Sequence, residues 1–172
     1  METIIETERL LIRKIDISDK KGMYLLDSDP EVHRYLGAKP ISNEEEALTY
    51  IKLIQQQYRE NGIARWAVIE KETGEFIGWT GFKLITNTIN GHTDYLDVGY
   101  RFIRNAWGKG YATECGKACM EYAKKHLATY ELHAMTEIGN SDSKKVLEKL
   151  GFEAVEIFDF EGNPHYWYNL RN

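Results

Sequence analysis

The order of elements legible in the chain predicts a mixed α/β (α+β) domain. It should have a mostly antiparallel central sheet, about four flanking helices and one parallel crossover. Three observations carry this. The hydrophobic period switches repeatedly between strand and helix spacing, with turn residues at the switches. Two pairs of strand candidates flank short glycine-containing turns, the mark of hairpins. One further strand candidate runs directly into a glycine-rich turn and then a helix. The 172 residues suit a single domain, 1–172, with a sizeable core.

Arg9–Ile15, RLLIRKI, is the first strand candidate. Ser18–Ser28 opens on a capping residue and reads as a short helix, weakened by Gly22. The second helix is better marked. Ser42 and Glu45 form a capping box, Ala47, Ile51, Ile54 and Tyr58 recur at helical spacing, and Asn61-Gly62 supplies the stop. ARWAVIEK and FIGWTGFKLI then flank Glu72-Thr73-Gly74-Glu75 as a hairpin. A polar loop covers Asn87–His92, and Tyr95–Ile103 is the fourth strand. The next helix places Ala112, Cys115, Cys119, Tyr122 and His126 on one stripe. LHAMTE is the fifth strand, and a helix from Ser141 to Leu150 stops at Gly151. FEAVEIFDF and HYWYNL flank Glu161-Gly162-Asn163-Pro164 as a terminal hairpin.

Composition narrows the function. Hydrophobic residues at 42% and charged residues at 28% describe an ordinary globular protein. A net charge of −5 argues against a general nucleic-acid binder. No apolar run approaches the roughly 20 residues that span a bilayer. The start, METIIETERL, alternates charges and lacks the build of a signal peptide, so the expected location is cytoplasmic. The two cysteines, Cys115 and Cys119, lie four apart on a helical stripe with no second ligand pair nearby. They read as small packing residues, and no metal is expected.

The segment Trp107-Gly108-Lys109-Gly110-Tyr111-Ala112 stands between a strand and a helix. Glycine permits conformations and close approaches that a Cβ would block. A helix start carries unpaired N–H groups and partial positive charge. Together they make an anion cradle, most often for phosphate. The competing reading is a tight strand-to-helix turn that binds nothing.

The element order and four stretches resemble the GNAT superfamily of N-acetyltransferases, over essentially the whole chain. The stretches are TERLLIR, GEFIGWTGF, DVGYRFIRNAWGKGYATE and NSDSKKVLEKLGF. Within the superfamily the chain looks like the RimJ/RimL-type branch, which commonly carries Trp first in the glycine motif. The resemblance implies that the anion is the pyrophosphate of coenzyme A, with acetyl-CoA as cosubstrate. It also implies that strands four and five splay apart to admit the pantetheine arm. Phe102 and Ile103 would border that arm through their main chain, and the amides of Gly108, Lys109, Gly110, Tyr111, Ala112 and Thr113 would face the pyrophosphate, beside Trp107. Asn140 matches a family asparagine that contacts the arm; its competing reading is a helix cap.

Acetyl transfer to an amine needs a proton acceptor, a polarised carbonyl and a thiolate that can leave. Asp97 stands where many members have a glutamate, and being one methylene shorter it favours a bridging water. A structural carboxylate is the alternative. A main-chain N–H near Phe102 would polarise the carbonyl. The tyrosine that many relatives use on the thiolate is replaced by Leu147, and Ser143 matches the serine that the branch offers instead. A first-turn helix residue is its plainer reading. Family position puts His33 and Tyr35, with His165 and Tyr166, around the acceptor cleft. Implied partners are acetyl-CoA and an amine acceptor, with no nucleic acid and no membrane, and a homodimer is compatible with the branch. Two other classes compete. A non-catalytic acyl-CoA-binding or sensing module would use the same loop. A nucleotide-binding protein would need the Gly-x-x-x-x-Gly-Lys-Ser/Thr spacing, which is absent.

Overall fold

The computed structural model describes all residues, 1–172. Its first element is a strand that alternating charges conceal. In β1, Thr3–Glu6, the two ends are exposed while Ile4 and Ile5 are half-buried. It turns back onto β2, Leu10–Lys14, which is therefore the second strand and not the first. One 3-10 turn, Ile17–Asp19, capped by Asp16, leads into α1, Lys20–Asp27. Gly22 in α1 is a packing contact, since a Cβ there would lie 2.5 Å from the Phe76 ring. Helix α2, Glu44–Asn61, is capped one residue later than its sequence suggests. Asn43 Oδ1 accepts from the Glu46 amide, and the Glu46 carboxylate accepts from the Ser42 amide. Gly62 closes it in the left-handed conformation.

Three antiparallel strands follow: β3 (Trp66–Glu70), β4 (Phe76–Ile85) and β5 (Tyr95–Phe102). After a 3-10 turn (Arg104–Ala106) and the glycine segment, α3 (Tyr111–His126) crosses to β6 (Leu132–Glu137). Helix α4 (Ser141–Lys149) precedes the hairpin of β7 (Phe152–Phe160) and β8 (Asn163–Leu170). Pro164 lies within β8, opposite Asp159, and not in the turn. The eight strands form one sheet in the order β1-β2-β3-β4-β5-β6-β8-β7, and the β5–β6 pairing alone is parallel.

Both faces are covered. Met23 and Leu26 of α1 and Ala47, Ile51 and Ile54 of α2 pack with Ala67 and Trp79 on one face. On the other, Tyr111, Cys115, Cys119 and Met120 of α3 and Leu147 of α4 pack with Val68, Phe82 and Val98. The buried stripe of α3 is rotated from the predicted one: Tyr111 and Ala123 join it, Ala112 and Tyr122 are half-buried, and His126 is exposed. Cys115 and Cys119 both lie against Thr80, where burial pushes their thiols up, Cys119 to about 12.

The strands counted fourth and fifth in the sequence are β5 and β6. They pair only at Leu96–Leu132 and Asp97–His133. Beyond those two positions they diverge, and the sheet opens into a wedge with α3 and α4 behind it.

Candidate active site

Gly108 and Gly110 both hold positive φ, 73° and 81°, a region that residues with a Cβ seldom occupy. Gly110 is the N-cap of α3, and no side chain caps that helix. As a result, no backbone N–H from Gly108 through Thr113 has an acceptor within the chain. Six consecutive donors, at the positive end of a helix dipole, are left without a partner in the chain. The turn is held from below. Arg9 Nη1 donates to the Lys109 carbonyl at 2.8 Å, its Nε donates to Glu114 at 2.7 Å, and its guanidinium lies 4.4 Å over the Tyr111 ring. Thr7 Oγ1 and the Arg9 amide also donate to Glu114. Arg9 thus joins the β1–β2 turn to the first turn of α3, a role its place at a strand start did not suggest. The Lys109 side chain is exposed.

Backbone accounting along β5 shows what faces the wedge. Ile103 N–H donates to Ile77 O, and Leu96 N–H donates to Glu131 O. In an antiparallel ladder both groups of one residue point to the same side, alternating along the strand. Tyr100 and Phe102 therefore turn their N–H groups into the gap. The Phe102 carbonyl is taken by the Trp107 indole N–H at 2.8 Å. Ile103, expected beside the arm, has its N–H on Ile77 and its carbonyl on Ala106, so neither is left for a ligand. Trp107 pins the mouth of the wedge through its indole, with 47% of its surface exposed.

Asp97 lies where the strands part. Its Oδ2 accepts from Arg65 Nη2 at 2.5 Å, while Arg65 Nη1 donates to the carbonyls of Asp97 and Gly81, each at 2.7 Å. The Arg65 guanidinium also packs 5.0 Å from the Trp79 ring, as does that of Arg101. Arg101 Nη1 donates at 2.7 Å to buried Asp27, whose same oxygen lies 3.4 Å from His33 Nε2. His33 is buried with neither ring nitrogen hydrogen-bonded. Burial, then the Arg101 charge, pushes its pKa down, so the imidazole is neutral at pH 7. Tyr35 reaches across to Gly139, where a Cβ would lie 3.2 Å from its ring, closing the α1–α2 loop beside Asn140.

Asn140 is the N-cap of α4, its Oδ1 accepting from the Ser143 amide at 3.2 Å. Ser143 Oγ lies 2.9 Å from the Tyr100 hydroxyl, joining α4 to β5 across the gap. Burial holds the Tyr100 phenol well above its ordinary range, so it acts as a neutral hydroxyl. The motif spacing, which has Leu147 at the usual tyrosine position, gives no sign of this second phenol beside Ser143. His165 and Tyr166 do not share a cleft, because successive strand residues face opposite ways. His165 packs on Phe158 and Phe160, whereas the Tyr166 ring lies 4.5 Å from Lys144 Nζ of α4.

A family model described as an acetyltransferase (GNAT) domain matches residues 9–153. The chain belongs to the GNAT family. It is an N-acetyltransferase, and the family uses acetyl-CoA. The uncharacterized N-acetyltransferase p20 of Bacillus licheniformis is 35% identical, over 94% of this chain and 88% of the relative. A putative GNAT-family acetyltransferase from Bordetella pertussis superposes with a TM-score of 0.84 at 16% identity, covering 99% of this chain and 100% of that one. A RimL ribosomal L7/L12 alpha-N-protein acetyltransferase, solved with coenzyme A, superposes with a TM-score of 0.78 at 16% identity, covering 98% of each chain. At those identities the two structures speak for the fold. The six unsatisfied amides of Gly108 to Thr113 suit the pyrophosphate of the family's cosubstrate by their own chemistry.

Proposed function

We propose that this GNAT enzyme, in the manner of the RimJ/RimL-type branch, moves an acetyl group directly onto a primary amine, either a protein N-terminus or a small-molecule amine. The observation that supports it most is the run of six amides without acceptors, placed at one end of a wedge whose other end holds Asp97. When bound, acetyl-CoA supplies the activated thioester. The amides from Gly108 to Thr113 hold phosphate charge, and Lys109 adds long-range attraction. The Tyr100 and Phe102 N–H groups lie where a developing oxyanion would be stabilised. Asp97 serves as proton acceptor at Oδ1, since Oδ2 is occupied by Arg65, either directly or through one water. An α-amino group with a pKa of about 7.7–8.0 asks little of that base. His33, neutral beside Asp27, and Tyr35 wall the acceptor side, and the overall net charge of −5 favours approach of a cationic amine. Asn140 and Ser143 border the arm from α4. A cytoplasmic location and a homodimer are compatible with this reading.

The test is mass spectrometry of acetyl-CoA reactions against mixed amines and peptides. Transfer to an acceptor at a catalytic rate is expected; tight binding without turnover across a broad panel would favour a sensing module. With an acceptor in hand, Asp97→Asn should lower kcat at neutral pH by roughly tenfold, below the 10²–10⁴ of a full general base. The loss should shrink at high pH, where more of the amine is already free. An undiminished rate at pH 7 removes Asp97 from the mechanism.

Ser143→Ala retains a good helix former in the first turn of α4. It should lower kcat by less than about 100-fold at unchanged CoA affinity, because coenzyme A is already a fair leaving group. Tyr100→Phe should reproduce the loss if the pair acts as one relay. Steady-state kinetics and CoA calorimetry on both variants check this, and an unchanged kcat leaves Ser143 a helix residue.

A further inference from the structure

Away from the glycine turn, His92, Glu131 and His133 bring three ligand atoms within 4.8 Å of one another. The sequence shows only Glu-x-His, two residues that share a face in an extended chain. The sheet supplies the third ligand by laying the loop before β5 against the start of β6. We propose that this cluster is a transition-metal site, Zn²⁺ by its donor set, that fastens the β4–β5 loop to β6.

His133 shows the preparation. Its Nδ1 lies 3.1 Å from Asn169 Oδ1 and 3.3 Å from the Tyr168 carbonyl. A carbonyl only accepts, so Nδ1 carries the hydrogen, and Nε2 is the ring position open to an ion. That nitrogen lies 3.2 Å from Glu131 Oε2, which is also an acceptor. Two acceptors so placed require a cation between them or a proton on the ring. Orientation of a metal-binding imidazole by a hydrogen bond from its other nitrogen is the usual outer-shell arrangement. His92 is held as firmly. Its ring stacks on Trp167 at 4.6 Å and 20°, and its centroid is 4.6 Å from that of His133. The loop is anchored by the Ile89–His92 bridge and by Asn90 Nδ2 donating to Glu156 at 2.7 Å.

Ligands on a tetrahedral ion at about 2.0–2.1 Å stand roughly 3.4 Å apart, so ligand atoms already within 4.8 Å of one another need only a small closing movement. Two imidazoles and one carboxylate favour Zn²⁺ and its neighbours over Mg²⁺ or Ca²⁺, which prefer oxygen. Three protein ligands leave a fourth position for water. The site lies at the end of the sheet where β5 and β6 still pair, since Asp97 is opposite His133. An ion there would stiffen the closed end of the wedge without entering it.

The experiment uses the full chain, freed of any affinity tag and stripped with chelator. Zn²⁺ should bind with a Kd on the order of micromolar or tighter and raise the melting temperature, and Co²⁺ should give visible d–d absorption. Mg²⁺ should do neither. Glu131→Gln, at an exposed position, should melt like wild type without metal, while His92→Ala should melt somewhat lower because its ring leaves the Trp167 stack; both should bind Zn²⁺ more than tenfold more weakly, as about 10–100-fold follows even from losses among groups that only orient the ligands. Absence of Zn²⁺ binding and of the Co²⁺ spectrum in wild type overturns the proposal. So does equal Zn²⁺ affinity in both variants, which would place the ion elsewhere, for instance at Cys115 and Cys119.

Discussion

Gly110→Val should reduce coenzyme A affinity by roughly 100–1,000-fold. At φ 81° a β-branched residue is strained, by about 1–3 kcal/mol, so the backbone will move toward an allowed conformation. That movement occurs at the N-cap of α3, where donors on both sides depend on the same peptide planes. A hydrogen bond to a charged group is worth about 1.5–3 kcal/mol, so weakening two of them by about 1.4–2 kcal/mol each accounts for the range. The turn has little freedom to adapt, because Arg9 holds the Lys109 carbonyl. Gly74→Val is the matched control. It has φ 72° and open surroundings in the β3–β4 turn, so it should lose stability while keeping coenzyme A affinity. Calorimetry on the three proteins decides it, with circular dichroism to verify folding. Equal affinity in wild type and Gly110→Val would show that the pyrophosphate binds elsewhere.

The sequence exposed those parts of the site that are local. Gly108 and Gly110 mark a backbone conformation, and conformation at a turn is written in the residues that form it. The order of strands and helices was legible for the same reason, through period and punctuation. The misses have a common cause. β1 gains its identity by pairing with β2, and neither its charges nor its four residues mark a strand on their own. Asn43 rather than Ser42 caps α2 because several polar residues in a row could each do so, and only the chain's entry angle selects one. Family position assigns His165 and Tyr166 to one cleft, although a strand sends successive residues to opposite faces. Arg65, Arg9 and Tyr100 act on partners distant in sequence, so no spacing rule finds them. The one hint was at Arg65, a charged residue inside the buried run that opens β3.

Arg65→Met should destabilise the protein by about 3–5 kcal/mol, toward the lower end of that range. Arg65 retains only 8% of its side-chain exposure and makes its three hydrogen bonds to groups on β4 and β5. Methionine fills much of the same volume but donates nothing, leaving the Asp97 carboxylate and two carbonyls without this partner. The carboxylate is the costly one, because a charge stripped of its counter-ion inside a fold must find water or a proton. At 16% exposure Asp97 can find some water, which sets the lower end of the range. Stacking against Trp79 is lost as well, about 0.5–2 kcal/mol within that total. Urea unfolding should show a lowered midpoint at an unchanged slope, and the melting temperature should fall by roughly 2–4 °C per kcal/mol for a domain of this size. Arg65→Met combined with Asp97→Asn separates the causes. If the orphaned charge dominates, the double variant is more stable than Arg65→Met alone, with a coupling of about 0.5–3 kcal/mol. A double variant no more stable than the single one would assign the loss to the two carbonyls and the Trp79 contact. A loss below about 1 kcal/mol in Arg65→Met would mean that the pair is not what holds Asp97 at the point where β5 and β6 part.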